Sequence, residues 1–575
     1  MKVEFSLNKR EGKQKVQLLI RWRFYLVLFL ICTSFSILIG RVCYIQIIEP
    51  DNLIRQGDMR SIRSKTLRSA RGIISDRNGE PLAVSVPVEA VWADPVVIFN
   101  ENGLDNLDRW YALADVLQLN RGVLVEKIKK NCSRRFIYLQ RQVSPAMASY
   151  IRGLKLPGVG LKSESRRYYP AGEVSAHVIG VVGIDGHGLE GIEHSYDQWL
   201  SGEAGKHIIR KDRYGRVVEN ISLEKREEGK SLALTVDQRL QAIAFRAVKQ
   251  AVADFQATSG SAVLLDIKAG AVLAMVNAPS YNPNNRSDMQ SFKMRNRVIT
   301  DAFEPGSTVK PFVVLAALEN GIVNKDTLID TGDGIMRIGG SRVRDIFKVG
   351  KANLGTILKK SSNVGMAILA LNIPLETLLG IYSSVGFGEI SDLNLVGETA
   401  GIFENRPRWS KFEIATLAFG YGLAITPLQL AHAYATLGNY GKYQPIHIVE
   451  NKKKGLSRQI VDYNTAKEVL AMLETVTQFG GTASKAAVPG YRVAAKTGTS
   501  RKAIIGGYGD EYFAYTSGVA PVSDPRLALV VVVNEPQGDN YYGGSVAAPV
   551  FSEIMQGALQ ILNIAPDDEN KLRNK

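Results

Sequence analysis

Cysteine is scarce in this 575-residue chain: Cys32, Cys43 and Cys132 are the whole complement, and two of them lie in or beside one apolar segment. An odd number placed this way does not make a disulfide framework. Histidine is scarce too. His177, His187, His194, His207, His432 and His447 contain no His-Glu-x-x-His pair, and no spacing suits a zinc site, so neither a metal nor any other cofactor is expected. No Gly-x-Ser-x-Gly elbow occurs. Gly229-Lys230-Ser231 resembles the end of a phosphate loop, but Glu224 stands where the first glycine belongs, which sets ATP binding aside. Internal repeats and low-complexity tracts are missing, and 45% hydrophobic with 22% charged residues is the composition of an ordinary folded protein. The formal charge of +15 is spread along the chain without an aromatic-studded basic motif. That excess suits an anionic lipid or polymer, and nucleic acid is not expected as a partner.

Long apolar runs are also rare, and the single one present is informative. Residues 24–40 carry no charge, and Arg41 is the only interruption up to Ile48. The segment is long enough for a ~30 Å hydrocarbon core, with Arg41 able to snorkel to the interface. Lys2, Lys9, Arg10, Lys13, Lys15, Arg21 and Arg23 precede or open it, against Glu4 and Glu11 only. The positive-inside rule keeps residues 1–23 in the cytoplasm and sends the chain beyond residue 48 across the membrane. No small-x-small cleavage site follows the apolar core, so an anchor is expected in place of a cleaved signal.

Turn chemistry and periodicity divide the remainder. Residues 50–70 are polar and basic and read as a linker or extended segment. Residues 71–230 mix β-like runs (82–91), the turn Asp76-Arg77-Asn78-Gly79 and helical stretches (109–117), the pattern of an irregular α+β module. The charged patch 224–230 marks a boundary. Beyond it come a helix over 238–255, a strand–turn–strand over 261–276 and apolar helices over 312–318 and 364–371. The unbroken apolar run 527–533 has the character of a buried central strand, so a sheet flanked by helices is expected. The resulting division is a cytoplasmic tail (1–23), a transmembrane helix (24–48), a pedestal (49–230), a catalytic domain (231–565) and a flexible tail (566–575).

Chemistry concentrates in three places. In Glu304-Pro305-Gly306-Ser307-Thr308-Val309-Lys310-Pro311, Pro311 is tolerated only in a helix's first turn, so a helix should begin near Ser307 and set Ser307 and Lys310 on one face. An apolar continuation leaves the Lys310 ammonium poorly solvated, which favours the neutral amine able to take the serine proton. Ser361-Ser362-Asn363 precedes another apolar helix: Ser361 is placed to relay a proton, Asn363 to hold Lys310 and a substrate carbonyl. Read blandly, the triplet is a helix cap. Lys496-Thr497-Gly498-Thr499 ends a strand-like run; Gly498 lets a substrate backbone approach, while Lys496, Thr497 and Thr499 offer a charge and hydroxyls to a terminal carboxylate. The backbone N–H groups of Ser307 and Thr499 are candidates for an oxyanion hole.

Ser-x-x-Lys, Ser-x-Asn and Lys-Thr-Gly in this order are the signature of penicillin-binding proteins and serine β-lactamases. Further segments extend the likeness, among them Arg71-Gly72-Ile73-Ile74-Ser75-Asp76-Arg77-Asn78-Gly79, Arg166-Arg167-Tyr168-Tyr169-Pro170, Gly188-Leu189-Glu190-Gly191-Ile192-Glu193, Phe419-Gly420-Tyr421-Gly422 and Thr426-Pro427-Leu428-Gln429. The chain resembles the class B penicillin-binding proteins over nearly its whole length, most of all their septal cell-division branch in Gram-negative bacteria. The resemblance implies an inner-membrane anchor with a periplasmic body, a pedestal of dimerisation type, and a transpeptidase domain whose antiparallel sheet is flanked by helices. It implies D,D-transpeptidation of D-Ala-D-Ala peptide stems, inhibition by β-lactams, and as partners a membrane-embedded septal glycan polymerase and other division proteins. The loops 332–348 and 506–512 depart from the family pattern.

Other readings are an elongation-type transpeptidase, a D,D-carboxypeptidase, a non-catalytic division scaffold and a β-lactamase. An intact triple argues against a scaffold. Against a β-lactamase, no Glu-x-x-Leu-Asn follows Asn363; Glu389 to Asn394 comes nearest, with one residue too many.

Overall fold

The computed structural model describes residues 21–67, 69–212, 216–391, 393–404, 406–450 and 455–568, which leaves most of the basic amino-terminal tail outside the described residues. The described chain forms two compact units. In the first, the helix Arg21–Cys43 runs into a wider turn, Tyr44–Ile48. Together they make a 28-residue apolar stretch with none of it buried in protein, longer than the roughly 20 residues a bilayer requires. Residues 50–61 are not a linker or extended segment, although Ile62–Leu67 is extended. Pro50 opens a second helix, Pro50–Ser61, with Asp51 in its first turn and Arg60 in its last, so both charges oppose the helix dipole. Ile62–Leu67 then joins Gly205–Lys211 and Val217–Glu224 in a three-stranded antiparallel sheet. The polar composition that reads as a linker is that of a short solvent-facing helix. Cys32, Cys43 and Cys132 are free thiols.

The second unit contains residues 70–202 and everything from Glu228 onward. Its first part is built on the strand Pro81–Ala93, paired antiparallel with Ile137–Val143 and Val159–Tyr168. Helices cover a separate core of Trp110, Leu113, Ile128 and Ile151. Three of the family segments meet here. Arg71 and Arg167 each place a guanidinium nitrogen 2.6 Å from a Glu193 oxygen, and Arg71 also reaches Asp197 at 2.6 Å. Glu193 is fully buried, so its charge is held by two cations that come from distant parts of the chain.

The larger part is a five-stranded antiparallel sheet in the order Ala271–Ala278, Ser259–Asp266, Leu527–Asn534, Gly507–Ala520, Ala494–Ile504. Leu527–Asn534 is the central strand, and all but its last residue are buried, as an apolar run without alternation requires. Helices Gln238–Asp254 and Gly543–Ile561 pack on the sheet and on each other, and Pro427–Gly438 packs on its central strands. Ala494–Ile504 is an edge strand. It begins just ahead of Lys496, so Lys-Thr-Gly-Thr lies inside the strand and not at the end of one. The carboxy-terminal segment is tied down as far as it is described: Asp567 accepts from the backbone N–H groups of Arg492 at 2.7 Å and Ser523 at 3.1 Å.

Candidate active site

Ser307 stands in a single 3₁₀ turn, Gly306–Val309, and the α-helix proper begins at Lys310 with Pro311 in its first turn. The α-helix therefore starts three residues beyond the expected Ser307, with Pro311 still in its first turn. Three elements hold that turn. Gly306 N–H donates to the Gly420 carbonyl at 3.1 Å, the Tyr515 hydroxyl donates to the Glu304 carbonyl at 3.0 Å, and the Tyr434 hydroxyl donates to the Thr308 carbonyl at 2.9 Å. Gly306 has φ +49° and Gly420 φ +85°. A Cβ on Gly420 would lie 2.2 Å from the Gly306 carbonyl oxygen, so this approach of two backbones admits only glycine.

Lys310 is completely buried. Its ammonium donates to the Ser361 carbonyl at 2.7 Å, the Asn363 side-chain oxygen at 2.7 Å and the Ser361 hydroxyl at 3.1 Å. Ser361 reaches this position by adopting φ +58°, unusual for a residue with a Cβ. Ser362 caps the following helix Asn363–Asn372 by accepting from Gly365 N–H, so the bland reading of the triplet holds for Ser362 while Ser361 and Asn363 face the lysine.

Lys496 is equally buried, and its ammonium points inward, donating to the Ser361 hydroxyl at 3.0 Å and to the Thr497 carbonyl at 3.0 Å. The Ser361 hydroxyl lies 3.1 Å from that of Ser307. One hydroxyl thus touches Ser307, Lys310 and Lys496. Burial drives Lys310 well below the usual lysine range, the nearby Lys496 ammonium pushes the same way, and the Asp345 carboxylate opposes both. Burial also brings Lys496 down to about 7. A neutral amine is therefore accessible near neutral pH.

The third segment is shaped from within. Gly498 pairs across the strands with Tyr515, and a Cβ there would come 1.9 Å from the tyrosine ring. Its lack of a side chain is required by the sheet itself, whatever approaches the edge. The Thr499 hydroxyl accepts from Gly543 N–H at 3.0 Å, and Thr497 is buried with its hydroxyl 3.5 Å from the Thr482 carbonyl. The structure brings Ser307, Lys310, Ser361, Asn363 and Lys496 into one hydrogen-bonded cluster and leaves Thr497, Gly498 and Thr499 along the adjoining edge. Motif spacing misses Tyr515, Gly420 and Asp345. The Phe419–Gly422 family segment covers Gly420 and the departing loop 332–348 covers Asp345, and neither gives a role.

Among the described residues, the one hydrogen bond reaching the Ser307 hydroxyl comes from Ser361. With no imidazole in that chain of contacts, the chemistry open to Ser307 is that of the lysine-assisted serine enzymes that pass through an acyl-enzyme. Residues 260–556 match the penicillin-binding protein transpeptidase domain, and residues 66–234 match the penicillin-binding protein dimerisation domain. The chain belongs to the class B penicillin-binding proteins. It is 49% identical to the peptidoglycan D,D-transpeptidase FtsI of Escherichia coli K12, over 99% of this chain and 96% of that protein. It is 40% identical to the probable peptidoglycan D,D-transpeptidase PbpC of Pseudomonas aeruginosa, over 95% of this chain and 96% of the other. Among solved structures, penicillin binding protein 3 of Mycobacterium tuberculosis complexed with aztreonam superposes with a TM-score of 0.68 at 26% identity, over 88% of this chain and 98% of that one.

Proposed function

We propose that this protein is a membrane-anchored peptidoglycan D,D-transpeptidase of cell division in which Ser307 carries the acyl group. The observation that supports the site assignment most directly is the Ser361 hydroxyl, which lies within 3.1 Å of Ser307 and of both buried lysines. Ser307 Oγ attacks the carbonyl between the two terminal D-Ala residues of a donor stem. Its proton moves to the neutral amine of Lys310, directly or through Ser361. The oxyanion is stabilised by the N–H groups of Ser307 and Thr499. The C–N bond then breaks, the departing D-Ala takes the proton, and an amine of an acceptor stem attacks the ester to form the cross-link and regenerate Ser307. Asn363 orients Lys310 and the donor. Lys496, Thr497, Gly498 and Thr499 bind the donor's extended end, and Lys496 adds positive charge beneath the hydroxyl relay.

A β-lactam enters by the same attack, but its leaving amine remains tethered to the acyl group and blocks the acceptor. The test is labelling with a fluorescent penicillin followed by peptide mapping. Wild-type protein should carry a stable adduct on Ser307 and Ser307→Ala none, while Lys310→Ala should label about 10² to 10⁴ times more slowly. Labelling that persists in Ser307→Ala refutes the assignment; rapid hydrolysis of the ester points to a β-lactamase.

The basic residues ahead of the Arg21–Ile48 segment support an amino terminus in the cytoplasm and a periplasmic body. A phosphatase reporter fused after Ser69 should be active only outside the cytoplasm, and cytoplasmic activity refutes that orientation. The likeness to FtsI supports a septal role beside a membrane-embedded glycan polymerase and other division proteins.

A further inference from the structure

The segment between the first two active-site motifs, residues 332–348, forms a hairpin of two short strands, Ile335–Ile338 and Ser341–Arg344. Its last strand leads straight into Asp345. The Asp345 carboxylate accepts from the Ser362 hydroxyl at 2.6 Å, from Asn363 N–H at 2.5 Å and from Val364 N–H at 2.9 Å. One residue earlier, the Arg344 carbonyl accepts from the Asn363 side-chain amide at 2.9 Å. Both ends of Asn363, its backbone N–H and its side-chain NH₂, are thus held by the same two consecutive residues of the hairpin.

That grip decides the orientation of the asparagine. With its NH₂ committed to Arg344, the side-chain oxygen is the end that faces Lys310, 2.7 Å from the ammonium. Ser361, in its left-handed conformation, is the residue immediately before the one whose hydroxyl Asp345 holds. We propose that Asp345 is a positioning residue for acyl transfer: through Ser362 and Asn363 it locks the turn that presents the Ser361 hydroxyl and the Asn363 oxygen to Lys310, and it places a negative charge that acts on that lysine.

The two parts of this role separate physically. Orientation works through hydrogen bonds, which an asparagine at 345 keeps in part, because its side-chain oxygen still accepts from the Asn363 and Val364 N–H groups. Charge works at a distance, and an asparagine removes it entirely. Among the described residues, the charges acting on Lys310 are the Lys496 ammonium, from the edge strand, and the Asp345 carboxylate, from the hairpin; the Ser361–Asn363 turn contributes neutral groups. Taking away the carboxylate leaves Lys310 with the Lys496 cation and without that anion. The ammonium form is then less favoured, so the neutral amine survives to lower pH.

The inference rests on Ser307 being the acylated residue, and the experiment separates the two. The full-length protein in detergent is acylated with a fluorescent penicillin from pH 5 to pH 9, as wild type, Asp345→Ala and Asp345→Asn, with thermal transitions recorded in parallel. A turn that loses its anchor misplaces the relay, and Asp345→Ala should acylate about 100-fold more slowly at pH 8. Asp345→Asn should recover most of that loss, and its acid limb should lie at lower pH than the wild type's. Wild-type rates and profile in both variants overturn the inference. So does a loss of rate in both with the acid limb unmoved, since support of the fold alone does not act on Lys310. If Asp345→Ala fails to fold, Asp345→Asn decides alone by the same limb. Absence of a Ser307 adduct in the wild type overturns the site assignment, and the inference with it.

Discussion

Lys310 and Lys496 donate to one oxygen, the Ser361 hydroxyl, at 3.1 and 3.0 Å, although one stands on a helix and the other on an edge strand. Two ammonium groups that close in a buried site cannot both keep their protons cheaply, so one of the pair is neutral over a wide pH range.

Replacing Lys496 tests that coupling. In Lys496→Ala the repulsion that depresses Lys310 disappears, Lys310 holds its proton to higher pH, and the acid limb of acylation should move upward. The shift is opposite in sign to that of Asp345→Asn. The variant should also lose about 2 to 4 kcal/mol of transition-state stabilisation, read from the acylation rate constant above the limb. An unmoved limb with an unchanged rate removes Lys496 from the site.

Gly498→Ala introduces a methyl group into the Tyr515 ring on the neighbouring strand. The strand must bow outward, at about 1 to 3 kcal/mol of stability for an overpacked site. Both the thermal transition and the penicillin acylation rate should fall. An undisturbed transition temperature contradicts the steric account.

Glu193→Ala strips the shared anion from Arg71 and Arg167. Two guanidinium groups are left with little solvent, and breaking a buried pair this way costs about 3 to 5 kcal/mol. Denaturant unfolding should show the loss in the part of the protein built on the Pro81–Ala93 strand. Glu193→Gln, which keeps the acceptor but not the charge, should lose less.

His177 and His432 are buried, and burial holds each imidazole down to about 4, from an ordinary 6.5. The folded state therefore resists protonation that the unfolded chain accepts below 6.5. The histidines' contribution to stability should be constant above that pH and should decline as pH falls toward 4, where the unfolded state binds more histidine protons. The depressed Lys310 and Lys496 add a separate dependence at higher pH. Thermal melts across the window read the slope, and His177→Gln together with His432→Gln should flatten it. A slope that survives both replacements assigns the acid sensitivity elsewhere.

Much of this was legible without coordinates, for reasons that can be located in particular residues. The long apolar helix is legible because a bilayer demands a sustained apolar run, and residues 24–48 are the one stretch of that length in the sequence. The central strand 527–533 is legible because a strand covered on both faces has no polar alternation to obscure it. Ser307, Lys310, Ser361, Asn363 and Lys496 are marked by their likeness to a family signature of three short motifs, each of which survives in a linear string, and the structure brings them into one hydrogen-bonded cluster. The helix Pro50–Ser61 was not, because a solvent-facing helix carries the same polar residues as a linker.

What only the tertiary structure decided are the relations between segments far apart in the chain. Composition offers the ammonium of Lys496 to a substrate carboxylate; the fold turns it inward onto Ser361, because the edge strand runs past the turn holding that serine. Gly498 reads as room for a substrate, yet its missing side chain answers to the Tyr515 ring, a cross-strand neighbour that depends on register. Asp345 has no motif spacing at all: its carboxylate matters because a hairpin brings it against the amino terminus of the helix that Asn363 begins. The sequence by itself determined which chemical groups are available and where a helix long and apolar enough to cross a membrane lies, since both depend on local pattern. The tertiary structure determined which groups share a proton and which backbones touch, because distances between remote segments are set by packing.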